Sequence, residues 1–79
     1  MSGTDPVVVA RFGYRHEAEL ALGFLEDSGI SAALFVDDAG GAEVGLAFAN
    51  PARIVVAREG AEAARKILRA AGFETAGDR

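Results

Sequence analysis

Arg53-Ile54-Val55-Val56-Ala57 is a nearly continuous apolar run of strand length. A strand with one wet face alternates apolar and polar residues; this one does not. It is therefore expected at the centre of a sheet, covered on both sides. The rest of the chain arranges itself around that position.

Upstream, Pro6 introduces Val7-Val8-Val9-Ala10-Arg11-Phe12, a β-branched run that Gly13 ends. From Arg15 to Ser28 the apolar period changes: Ala18, Ala21, Leu22 and Leu25 mark a helical stripe that Leu20 and Phe24 widen. Glu17 and Glu19 suit the positive end of that helix, although Tyr14, Arg15 and His16 are poor N-caps. Gly29 is the expected left-handed residue after it. Ile30 to Val36 reads as a second strand. Downstream, a helix is expected from Glu59 to Ala71 on a stripe of Ala61, Ala64, Ile67, Leu68 and Ala71, closed by Gly72. Glu62 and Lys66 stand four apart in the favourable order.

The order is thus β-α-β-β-α. Two strands joined through a helix prefer to run parallel. The third follows the second through residues 37–51, a turn-rich connection in which Leu46-Ala47-Phe48 has strand-like alternation, and it runs antiparallel to both. Placing it between them gives order 1-3-2, a ferredoxin-like split α+β fold with both helices on one face. Phe73-Glu74-Thr75 has room for a short fourth strand, a point the pattern leaves open. Residues 6–75 form the expected single domain; residues 1–5 and 76–79 are expected to be loose.

With 79 residues the chain holds one small domain, and 51% hydrophobic content is too high for disorder. There is no cysteine, so no disulfide frame or thiolate site, and His16 is the only histidine. The net charge of −4 works against nucleic acid or an anionic membrane as partner. Lys66 is the only lysine among the eight basic residues. No apolar stretch reaches the ~20 residues of a membrane span, and no basic segment leads into an apolar block. A cytoplasmic domain is expected.

Motifs with chemistry are weak. Gly40-Gly41 with Gly45 lacks the lysine and helix of a phosphate loop. Asp37, Asp38 and Glu43 lack calcium-loop spacing, and His16 could act as a general base only with an orienting partner and a pocket. Neither a catalytic residue, a metal site nor a cofactor is assigned. The 1-3-2 order does bring Arg11, Arg15, His16, Asp37, Asp38 and Arg53 to one pole, from which the 37–51 connection and Phe48 spring. Arginines beside a helix N-terminus suit an anion. The simpler alternative is surface pairing of those arginines with Asp37, Asp38 and Glu43.

Strict alternation places Val7, Val9 and Arg11 on one side of the first strand and Val8, Ala10 and Phe12 on the other. Two helices cover one sheet face, which leaves Val7, Val9, Phe35 and Val55 as an apolar patch to be covered either by Leu46 and Phe48 of the 37–51 connection or by a second subunit; self-association is expected, with a dimer favoured.

Three stretches resemble a known family: Val8-Val9-Ala10-Arg11-Phe12, then Glu17-Ala18-Glu19-Leu20-Ala21, then Phe24-Leu25-Glu26-Asp27-Ser28-Gly29-Ile30-Ser31-Ala32. With Val56-Ala57-Arg58-Glu59-Gly60-Ala61-Glu62-Ala63-Ala64, they look like the small bacterial domains described as prokaryotic signal-transducing proteins. The likeness spans about residues 7–71. Ala57 stands where that family commonly has proline, and Gly60 loosens the second helix's first turn. The resemblance implies a fold like that of the PII nitrogen-signalling proteins, with the 37–51 segment as a partner-contacting loop. No PII ligand motif can be placed here, so no ligand is carried over. The expectation is a non-enzymatic regulatory module with a protein partner; the first rival is a sensor of an anionic metabolite or nucleotide, and the second a small enzyme using His16 and a loop acid.

Overall fold

A computed structural model of the chain describes residues 5–36 and 51–76. The β-branched runs form β1 (Val7–Phe12) and β3 (Ala52–Val56), and Ala32–Val36 forms β2. The two amphipathic stripes form α1 (Arg15–Asp27) and α2 (Ala61–Ala70). The expected start of the second helix is one turn of 3-10 helix, Arg58–Gly60. Strand order is β1-β3-β2, and β3 pairs antiparallel with both neighbours. This is the small ferredoxin-like α+β arrangement. The strand-like stretch around Leu46 to Phe48 lies outside the described residues.

The helices are lined by small residues where they meet the sheet. Ala18, Ala21 and Leu25 of α1 recur with the same spacing as Ala61, Ala64 and Leu68 of α2. Alanines let each helix backbone approach the strands, while Leu25, Leu68, Ile54 and Val9 fill the space between and are fully buried. Burying each such side chain is worth about 1.5–3 kcal/mol. Both helices thus share one core with Val7, Ala10, Ile54 and Val56.

The repetition extends to the helix ends. Gly29 (φ 84°) and Gly72 (φ 98°) adopt the left-handed conformation. Ile30 N–H donates to the Leu25 carbonyl at 2.9 Å, and Gly29 N–H to that of Glu26 at 3.0 Å. Phe73 N–H donates to Leu68 at 2.9 Å and Gly72 N–H to Arg69 at 3.0 Å. Each helix therefore ends in a Schellman motif, which satisfies carbonyls that the helix leaves orphaned. At the other end, Tyr14 is the N-cap of α1 without any side-chain capping bond.

The β1–β3 register corrects the simple alternation. Val7 faces Val56 and Val8 faces Val55, but the next pair is Ala10 with Ile54; Val9 is the extra residue of a bulge. Because of it, Val9 and Ala10 both turn inward and are fully buried. Val7 and Val9, expected on the open face, lie beneath the helices; Val8 and Arg11 face the other way. Without the bulge, Arg11 would share a face with Val7 and Val9. The bulge lets the valines enter the core while the guanidinium stays in water.

β3 is central within the sheet, yet among the described residues only one of its faces is covered. Ala52, Ile54 and Val56 are buried, whereas Arg53 and Val55 are only half-buried. The other expectation that shifts is the tail. No strand forms at residues 73–76 among the described residues, but Ala76, assigned to a loose end, donates its N–H to the bulged Val9 carbonyl at 2.7 Å. Arg65 Nε donates to the Ala76 carbonyl at 2.9 Å, and Arg69 Nη1 to Thr75 Oγ1 at 3.2 Å. Phe73 packs edge-on against Phe12 and Phe24, each at 5.8 Å between ring centroids.

Two glycine substitutions separate helix propensity from backbone handedness. A Cβ at Gly23, inside α1, meets no atom within 4 Å. Gly23→Ala is expected to raise unfolding stability by about 0.5–1 kcal/mol. Gly29→Ala meets no atom either, yet its positive φ should cost about 1–2 kcal/mol. Urea denaturation of both variants checks the opposite signs.

Candidate functional site

The uncovered sheet face is built from two rows of side chains. Arg11 and Arg53 are register partners, and Phe35 is the partner of Arg53 on its other side. The first row thus reads Arg11, Arg53, Phe35 across β1, β3 and β2. The second reads Val8, Val55, Ala33. No strand residue carries a carboxylate, so this face is apolar and positive within a chain of net charge −4.

Two contacts define the first row. The Arg53 guanidinium lies over the Phe35 ring, 5.3 Å from its centroid, a cation–π arrangement. Phe35 nonetheless remains 48% exposed. Arg11 and Arg53 place like charges directly opposite, which opposes strand pairing. Among the described residues, neither arginine has a carboxylate partner. From Phe35 an open groove of about 410 Å³ runs along Ala33 and Val55 to Pro6, Ser31 and Ala57. A smaller hollow of about 90 Å³ lies between Arg11, Pro51 and Arg53. The face can hold a ligand with an apolar body and an anionic end.

The structure divides the residues expected at one pole. Arg11, Arg53, Phe35 and Val55 share the open face. Arg15 and His16 belong to α1 in the other layer, and the Arg15 Nε–Glu19 Oε2 ion pair (2.8 Å) already occupies that guanidinium. His16 is exposed, its ring 6.1 Å from that of Tyr14. Asp37, Asp38 and Phe48 lie outside the described residues. Among the described residues no group of three metal-ligating side chains converges, and no helix is long and apolar enough to cross a membrane. Sequence reasoning missed Val8 as a face residue. Nothing in Val7-Val8-Val9 announces a bulge, since all three are valine.

No protein-family model matches the chain, and no curated protein or solved structure matches it. The likeness to the signal-transducing family rests on the quoted residues.

If the paired arginines repel, Arg11→Thr should stabilise the isolated domain by about 0.2–1 kcal/mol at low salt. The gain should fade at about 0.5 M salt, where exposed charges are screened. Denaturation curves at the two ionic strengths check this; a loss of stability at low salt would show that the guanidinium makes a net favourable contact.

Proposed function

We propose that the chain is a non-enzymatic regulatory interaction module that docks an acidic, partly apolar segment of a protein partner on its open sheet face. The observation that carries this reading is the row Arg11–Arg53–Phe35, with an exposed aromatic and two arginines that face no carboxylate among the described residues. A half-covered sheet with a rigid aromatic anchor beside arginine has the composition of an interface centre. Arginine forks pair with carboxylates in two parallel hydrogen bonds, which fixes orientation as well as affinity. The groove is open to solvent, which suits a polypeptide better than a small molecule that needs most of its surface enclosed. The resemblance to bacterial signal-transducing domains points the same way.

Peptide selection tests this directly. Displayed libraries panned on the wild-type domain should return segments that combine apolar residues with Asp or Glu and that bind Phe35→Ser more weakly. Their affinity should fall at least about tenfold on Arg53→Glu, roughly one charge-assisted bond lost. Selected peptides that bind both proteins equally would refute the reading.

The opposed arginines also favour a second reading, an anionic metabolite or nucleotide held between them. In that case carboxylates or nucleotides at about 100 times Kd should stabilise the domain by about 2.7 kcal/mol. That stabilisation should be saturable and absent in Arg11→Ala. A thermal-shift screen decides; no saturable shift leaves the protein-docking reading alone.

A further inference from the structure

We infer that one occupant of the open sheet face is the outer surface of α1 from a second copy of this chain, in a head-to-tail contact. This rests on the reading of that face as a docking surface and names its partner. The exposed large apolar side chains on the regular elements fall on two patches: Phe35 on the sheet, and Leu20 with Phe24 on α1. Leu20 is 62% exposed, more than any other large apolar side chain described. Phe24 is 43% exposed and rests on Phe73, which keeps it in place.

The two patches carry opposite charge. The three strands bear Arg11 and Arg53 and no acid. Helix α1 bears Glu17, Glu19, Glu26 and Asp27, and its only arginine, Arg15, is tied to Glu19. Glu17, Leu20 and Phe24 follow one another at helical spacing and so lie along one side. From Glu17 to Phe24 is about 10 Å of helix. From Arg53 past Val55 to Ala57, at the far end of the groove, is about 13 Å of strand. Glu17 can therefore meet the Arg11–Arg53 pair while Leu20 and Phe24 lie on Phe35, Ala33 and Val55.

A two-fold contact of sheet on sheet lacks this match, because among the described residues neither face supplies a carboxylate to the other's arginines. The helix layer and the open face are opposite sides of the molecule, so both surfaces of one copy can be used at once. A contact between unlike surfaces then propagates into short chains or closes into a ring. The face is small, so association is weak and salt-dependent.

Sedimentation velocity from about 10 µM to about 1 mM reads the outcome. The wild type should exceed dimer mass at the upper end. Leu20→Asp and Phe35→Asp should each remain monomeric, with circular-dichroism melts confirming that both fold; Arg53→Glu blocks the sheet face if Phe35→Asp does not fold. An equimolar mixture of the helix-blocked and sheet-blocked variants should form a one-to-one dimer and stop there, since one good interface survives. If Leu20→Asp assembles like the wild type while Phe35→Asp does not, the contact is sheet on sheet; the inference falls and the docking face stands. A wild type that stays monomeric throughout also overturns the inference, while the peptide selection decides the docking face separately.

Discussion

A three-stranded sheet has two broad faces, and the two helices of this chain cover only one of them. Leu25 of α1 and Leu68 of α2 are fully buried in one cluster with Ile54, the fully buried centre of β3. Ala18, Ala21, Ala61 and Ala64 bring the helix backbones down onto the strands. Once both helices are committed to that side, β3 keeps Val55 and Arg53 on the other. The functional reading of the molecule follows from that asymmetry more than from any motif.

The bulge at Val9 sharpens it. An extra residue in β1 allows three apolar residues of this strand, Val7, Val9 and Ala10, to be buried while Arg11 turns outward opposite Arg53. The same irregularity leaves the Val9 carbonyl free to accept from Ala76, and Arg65 and Arg69 hold the adjoining tail from α2. One local insertion thus shapes the core, the charged face and the outer edge of β1 together. Arg53 then lies over the Phe35 ring, a contact between neighbouring strands that are separated in sequence by residues 37–51.

Much of the architecture was legible in linear order. The change of apolar period at Arg15 and again after Ala57 marks both helices, because a helix repeats its buried face every three to four residues and a strand every two. Gly29 and Gly72 mark the helix ends, because an L-residue resists positive φ. The apolar run Ile54-Val55-Val56 marked the central strand. The run suggested cover on both sides, and among the described residues the structure provides it on one.

The candidate site was less legible, for a geometric reason. Arg11, Arg53, Phe35 and Val55 could be named, but their companions depended on strand phase. A bulge shifts that phase by one residue and leaves no mark in a run of identical valines. Likewise, Arg15 looked like part of an arginine cluster until its helix directed it to Glu19. Sequence by itself determined the elements, the C-terminal ends of the helices and the sheet order, since these depend on short-range periodicity and backbone preference. Only the tertiary structure decided which side chains share a face, because that depends on register between strands distant along the chain.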